Sequence, residues 1–310
     1  MSRPAAVEGL AGLRPLFGEL NDLKRIRRAG RVGSLAGRGF ARAWSALIAG
    51  ERPGLVASLE LATAIASARL GAIDPVMLAG VGLEAAEVIE VLVAAVDSVA
   101  DPLDPRLLEE VRRSIEILPG YFARFDEPAR LPSWVSALAD QPRAGATRPG
   151  HPRLILEPAE GHDEHCYLTA VYAALVATAF EADPAVPFLA GLAHHLHNAR
   201  LPDSGFAGEE LLGLHLVPIM ARLTAGALAE LPDPLAVAVV DARRVLAHAE
   251  TPEARAFHAA DVLDRVLQMD YFARASAFEL RQALDDLDLV HSGPLQAFQL
   301  DVLGAAGLWP

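Results

Sequence analysis

The stretch LAGLAHHLHNARLPD, Leu189 to Asp203, runs from an apolar helix pattern straight into His194 and His195, with His197, Asn198 and Asp203 just beyond. Three histidines within four residues are costly to bury unless something engages their ring nitrogens, and a metal ion is the commonest such partner. Upstream, GHDEHCYLTAVYAALVA (Gly161 to Ala177) puts His165 at the head of another apolar helix pattern. Downstream, FHAADVLDRVLQ (Phe257 to Gln268) carries Asp261 inside a third. A helical protein is expected, with a histidine, a histidine pair and a late aspartate each on its own helix.

Composition points the same way. Hydrophobic residues make up 52% of the chain and aromatics only 6%, much of the apolar content being Ala and Leu. Alternating β-branched or aromatic runs are scarce, so the fold class is all-α. A chain of 310 residues suffices for one large or two ordinary domains. No uninterrupted apolar run reaches the roughly 18–20 residues of a membrane span. The opening MSRPAAVEGLAGLRPLF lacks the apolar core and cleavage site of a secretory signal, so a soluble cytoplasmic protein is expected. Cys166 is the only cysteine and reads as a small core filler beside His165.

A formal net charge of −13 argues against general nucleic-acid binding. The charge is uneven: Lys24, Arg25, Arg27, Arg28, Arg31, Arg38 and Arg42 form a basic run near the amino terminus. It reads as a solvated helix face, or as a docking surface for an acidic protein partner or for an acidic part of the same chain. A homo-oligomer is left open.

Leu10, Leu13, Leu16, Phe17, Leu20 and Leu23 predict one or two amphipathic helices before residue 30. Gly30, Gly33 and Gly37 predict a loop before a short helix at Phe40–Ile48, followed by core helices over 55–70 and 75–99. Asp104 and Pro105 start a helix reaching 125. Prolines crowd residues 126–160, and 141–159 reads as a linker between a helical amino-terminal domain, 1–140, and a carboxy-terminal one, 160–310. The latter holds predicted helices near 163–181, 185–199, 208–230, 234–249, 253–274, 276–287 and 294–306. Tyr121-Phe122-Ala123-Arg124 repeats as Tyr271-Phe272-Ala273-Arg274, and Asp74-Pro75 echoes Asp183-Pro184. These echoes raise the idea that the first half is a degenerate copy, with Leu83 and Glu84 where His194 and His195 stand.

Residues from about 160 to 275 resemble the HD-domain superfamily of metal-dependent phosphohydrolases, most closely its 5′-deoxynucleotidase-like branch. The matching letters are Glu164-His165-Cys166 opening a helix, Leu192-Ala193-His194-His195 closing the next, and Ala259-Ala260-Asp261-Val262-Leu263 in a later one. The resemblance implies an HD-like bundle in which His165, His194, His195 and Asp261 hold a divalent metal (Mn, Co, Ni, Zn or Fe). It also implies hydrolysis of a small phosphate ester such as a nucleotide. Imidazole and carboxylate independently suit first-row divalent metals, and a helical scaffold can point four such groups inward.

Two positions depart from the family pattern. His195 replaces the doublet's aspartate and cannot bridge two metals as a carboxylate does. Asn198 stands where the branch carries a glutamate thought to handle the attacking water, and an amide is no general base. Asp203 follows, either to position or deprotonate water or simply as part of a Pro-Asp turn. His215 stands about where binuclear members place an extra ligand, and Arg153 is a candidate for the substrate phosphate. Two other functions stay open: a catalytically inactive HD-fold binding or regulatory protein, and an HD-type non-haem iron oxygenase needing His215 or His248. The sequence has no phosphate-cradling glycine loop, CxxC pair, nucleophile elbow or HExxH.

Overall fold

The computed structural model describes residues 9–127, 130–145, 147, 153–276, 290 and 296–305. Among these the protein is all-α, and Pro142 and Gly161 form an isolated antiparallel bridge. The helices of the first half are α1 (Arg14–Asn21), α2 (Leu35–Ile48), α3 (Pro53–Leu70), α4 (Pro75–Gly80), α5 (Ala85–Asp97), α6 (Pro105–Ile115), α7 (Leu118–Phe125) and α8 (Ser133–Asp140). Those of the second half are α9 (His162–Val176), α10 (Ala185–Ala193), α11 (Gly205–Leu212), α12 (Leu216–Leu228), α13 (Asp233–Ala242), α14 (Pro252–Ser276) and α15 (Gln296–Ala305).

The centre of the fold is α9. Every residue from His162 to Val176 is buried, so this helix has no wet face, as expected of the middle helix of a bundle. It packs against α10, α2, α3 and α8. Gly161 precedes it, and Glu164 Oε2 accepts the Gly161 N–H at 3.0 Å, closing the first turn.

Gly37, expected in a loop, lies inside α2, because Ser34 caps that helix earlier by accepting the Gly37 N–H at 3.1 Å. Close packing on α9 explains both glycines of this helix. A Cβ at 37 would stand 2.4 Å from Asp163 Oδ2, and one at 39 would stand 2.3 Å from the Tyr167 ring. Three expected long helices are broken. Gly82, at φ +103°, separates α4 from α5, Pro119 sits at the head of α7 just after α6 ends, and Gly213, at φ +49°, separates α11 from α12.

Met1–Gln268 form one compact unit, so residues 141–159 do not separate two cores. The physical reason is that α9 takes its partners from the first half. Tyr172 donates its hydroxyl to the Phe17 carbonyl at 3.0 Å. Glu60, fully buried on α3, accepts both Arg42 Nη2 at 2.6 Å and Nε at 2.9 Å, together with the hydroxyls of Tyr121 at 2.6 Å and Tyr167 at 2.8 Å. A buried carboxylate is tolerable when it is paired and hydrogen-bonded in this way.

The basic run finds its acidic counterpart inside the same chain. Lys24 pairs with Glu160 and Asp264, Arg27 with Glu164, Arg28 with Asp74, Arg31 with Glu127, Arg38 with Asp74 and Asp126, and Arg42 with Glu60 and Asp126. Among the alternatives left by the sequence, docking onto the chain's own acids is therefore realised.

Met269–Pro310 form a second compact unit. It holds the end of α14, where the Tyr271 and Phe272 rings stand edge to face at 5.3 Å and Arg274 pairs with Asp270 at 3.2 Å, and α15. Of the helix expected at 276–287, residues 277–287 lie outside the described residues.

One run qualifies the expectation that no stretch is of span length. Gly205–Leu228, covering α11 and α12, is long and apolar enough to cross a membrane by length and composition alone, and few of its residues are buried, the rest being exposed or half-buried. Leu211 and Leu214 are 90% and 95% exposed.

Candidate metal centre

Three helices bring the centre together. His165 lies in the first turn of α9, His194 directly follows α10 with His195 beside it, and Asp261 lies in α14. The ring nitrogens of His165, His194 and His195 fall within 4.8 Å of one another. His165 Nε2 is 3.1 Å from His194 Nε2 and 3.4 Å from Asp261 Oδ1, which is 3.9 Å from His194 Nε2. All four residues that the sequence singled out as ligands thus occupy one neighbourhood.

The far side of each ring decides what the near side can do. His194 Nδ1 lies 2.7 Å from the Gly191 carbonyl, which can only accept, so Nδ1 carries the proton. His195 Nδ1 lies 2.7 Å from Asn198 Oδ1, while the Asn198 amide donates to the Leu201 carbonyl at 3.1 Å. His165 Nδ1 lies 2.6 Å from the buried Asp264 carboxylate. Each Nδ1–H is therefore held by an acceptor, leaving Nε2 of the neutral ring as a lone pair. Partners behind the imidazoles that fix tautomer and orientation are what metal-ligating histidines have.

Two lone pairs facing each other at 3.1 Å repel unless a cation or proton lies between them. Nitrogens each about 2.0–2.1 Å from one tetrahedral ion stand about 3.3 Å apart, close to the spacing found. Burial, then the neighbouring ring of His165, pushes the His194 pKa well down. Burial, then His194 and Arg143, does the same for His195. Burial would raise Asp261, but His165, His194 and Arg265 more than reverse it and keep the carboxylate ionised. Neutral His194 and His195, with His165 Nε2, beside the ionised Asp261 form a donor set that fits a divalent metal. A buried His/Asp/Glu cluster able to bind a metal is present.

A second group, Glu160, His165 and Asp264, also has metal-ligand spacing. Its centre already has a cation. Lys24, the only lysine, is 2% exposed and places its ammonium 2.7 Å from Asp264 Oδ1 and in contact with Glu160. Burial would lower the Lys24 pKa, but Asp264 and Glu160 outweigh it and raise it. Lys24, Glu160 and Asp264 were not recognised in the sequence, although an aspartate one helical turn beyond Asp261 was a usable signal.

The remaining candidates divide. Asn198 serves as the acceptor that holds His195. Asp203 accepts main-chain N–H bonds from Ala144 at 3.0 Å and Gly205 at 2.8 Å, fastening two loops. Its Oδ2 lies 3.7 Å from His162 Nε2, a buried nitrogen with no hydrogen-bond partner among the described residues. Burial raises the Asp203 pKa, but the two N–H groups and Arg143 bring it below the usual carboxylate value, making it a weak base. His215 is exposed after α11 and joins neither metal-capable group. His258 Nε2 lies 2.9 Å from the His248 carbonyl, tying α14 to the preceding turn. Arg153 is exposed and donates to the Ser204 carbonyl at 3.2 Å.

Cys166 is fully buried, with Sγ 3.9 Å from His194 Nδ1, and burial pushes its thiol far up, so it is an inert filler. No protein-family model, curated protein or solved structure matches this chain.

Proposed function

We propose that this protein is a divalent-metal-dependent phosphohydrolase acting on a small phosphate ester, with nucleotides the first class to screen. The observation that carries the proposal is the convergence of His165, His194 and His195 beside Asp261, with every Nδ1–H engaged from behind. The family resemblance over 160–275 supplies the reaction class.

Bound there, a divalent ion supplies Lewis acidity, which lowers the pKa of water and polarises a phosphoryl oxygen. The chain's own part is positioning. Asp264 fixes His165, the Gly191 carbonyl fixes His194, Asn198 fixes His195, and Asp261 brings the one carboxylate of the set. Asn198 cannot accept a proton, and Asp203 is a weak base whose hydrogen bonds hold loops. No strong general base stands among the residues first expected to provide one.

The test is metal analysis of full-length protein purified without a histidine tag or chelator, beside His194→Ala and Asp261→Ala variants. About one equivalent of metal, lost in both variants, together with metal-dependent turnover of phosphomonoesters, is expected. No metal after reconstitution, or turnover unaffected by either substitution, refutes the proposal.

A further inference from the structure

Arg143 lies in the stretch that reads as a linker, yet its backbone is fastened to the head of α9. Its N–H donates to the Glu160 carbonyl at 2.8 Å, Pro142 bridges Gly161, and the His162 N–H donates to the Gln141 carbonyl at 3.2 Å. The side chain shares a neighbour with His162, since Arg143 Nε and His162 Nε2 stand 3.8 and 3.7 Å from the same Asp203 Oδ2. After burial itself, Arg143 is among the charges that hold His162, His194 and His195 neutral.

The Arg143 side chain is 19% exposed and its guanidinium is incompletely paired. Its Nε stands 3.8 Å from Asp203 Oδ2, too far for a hydrogen bond. Its Nη1 is buried with no hydrogen-bond partner among the described residues. Other arginines near the centre are engaged: Arg243 donates to the Ala193 carbonyl, Arg265 pairs with Asp261 at 2.9 Å, and Arg153 reaches the Ser204 carbonyl. Each unmade hydrogen bond of a buried polar group has a cost, and a planar fork of N–H donors matches the oxygens of phosphate.

We propose that Arg143 is the anion-binding residue of this site and takes the non-bridging oxygens of the substrate's phosphate, the role first sought in Arg153. The naming of the anion as a substrate phosphate rests on the phosphohydrolase proposal, whereas binding of the anion itself does not require the metal. Inorganic phosphate is therefore the probe. It is titrated calorimetrically into full-length, metal-free protein, as wild type and as the R143Q, R143K and R153Q variants, with thermal melting as the check on folding.

Saturable phosphate binding by wild type and R153Q, weakened at least tenfold in R143Q, is expected. R143K, which keeps the charge but loses the fork, should fall between, and it carries the test if R143Q does not fold. Wild type without phosphate binding, R143K binding as tightly as wild type, or loss in R153Q instead, overturns the inference. Metal analysis reads the ligand set separately. Protein that takes phosphate through Arg143 but holds no metal supports the anion site and overturns the phosphohydrolase proposal alone.

Discussion

Gly191→Ala tests the link between helix packing and the metal centre. A Cβ at 191 would lie 2.6 Å from the Ala170 Cα, 2.7 Å from its N and 3.0 Å from its Cβ. Ordinary contact begins at 3.4 Å, so α10 must retreat from α9 by about 0.8 Å (3.4 − 2.6). The obstructing atoms belong mainly to the backbone of a helix buried along its whole length, so no side chain can swing aside. Overpacking of this kind costs about 1–3 kcal/mol, or roughly 2–10 °C in Tm for a unit of this size. The same shift carries the Gly191 carbonyl, and with it His194, away from His165. Metal sites tolerate only about 0.2 Å in ligand distance, so metal affinity should fall at least about tenfold. Gly226→Ala is the control, since nothing lies within 4 Å of a Cβ there in mid-α12. It should gain roughly 0.5–1 kcal/mol through helix propensity alone and leave metal binding untouched. The assays are thermal melting and metal titration against a chelator. A G191A protein that melts within a degree of wild type and binds metal equally well would refute the coupling of this packing contact to the site.

Lys24→Met should cost about 3–5 kcal/mol in urea denaturation, because it leaves Asp264 and Glu160 facing each other in the interior without their cation. Cys166 should stay unlabelled by a thiol reagent in native buffer and label fully in urea; rapid native labelling would contradict its burial. Two buried groups should bend the stability profile of the metal-free protein in opposite directions. Burial, then Arg243, lowers His197 to about 4, so its contribution is present above pH 6.5 and is lost as pH falls from there toward 4, by at most about 3 kcal/mol. Burial, then Glu164, raises Asp163 to about 7, so its contribution is present at low pH and is lost as pH rises through 7. His197→Gln should flatten the acidic limb and Asp163→Asn the neutral one, read as urea midpoints between pH 4 and 8. Unchanged slopes in either variant would overturn the corresponding assignment.

The helical class was legible because it depends on local periodicity, and the same pattern put His165 and Asp261 on separate helices, while the histidine pair sits in the turn just after α10 rather than on it. Helix boundaries and domain division were less legible, since both depend on what packs where. Gly37 read as loop punctuation with Gly30 and Gly33, but it lies inside α2 in close approach to Asp163. The proline-rich stretch read as a linker, yet its first residues are fastened to the head of α9. A fully buried helix needs partners on every side, and those of α9 come from both halves of the chain.

The residues proposed as ligands were easier to pick out than their supports for a related reason. Ligands advertise themselves by residue type at helical spacing, whereas an outer partner such as Lys24 lies 141 positions from the histidine it serves through Asp264, in a basic run with a bland local explanation. On the proposed HD resemblance, a histidine at 195 in place of an aspartate gains a physical sense from these supports. Replacing a carboxylate by a neutral imidazole makes the ligand set less negative by one charge, leaving Asp261 as its only anion. With Arg143 and Arg265 close by, the centre is electropositive once a divalent ion is bound, inside a chain of net charge −13. Such a local inversion of sign would draw a small anion to this one place. On this account His195→Asp should strengthen metal binding but weaken phosphate binding to the loaded protein. If both strengthen together, the charge argument fails.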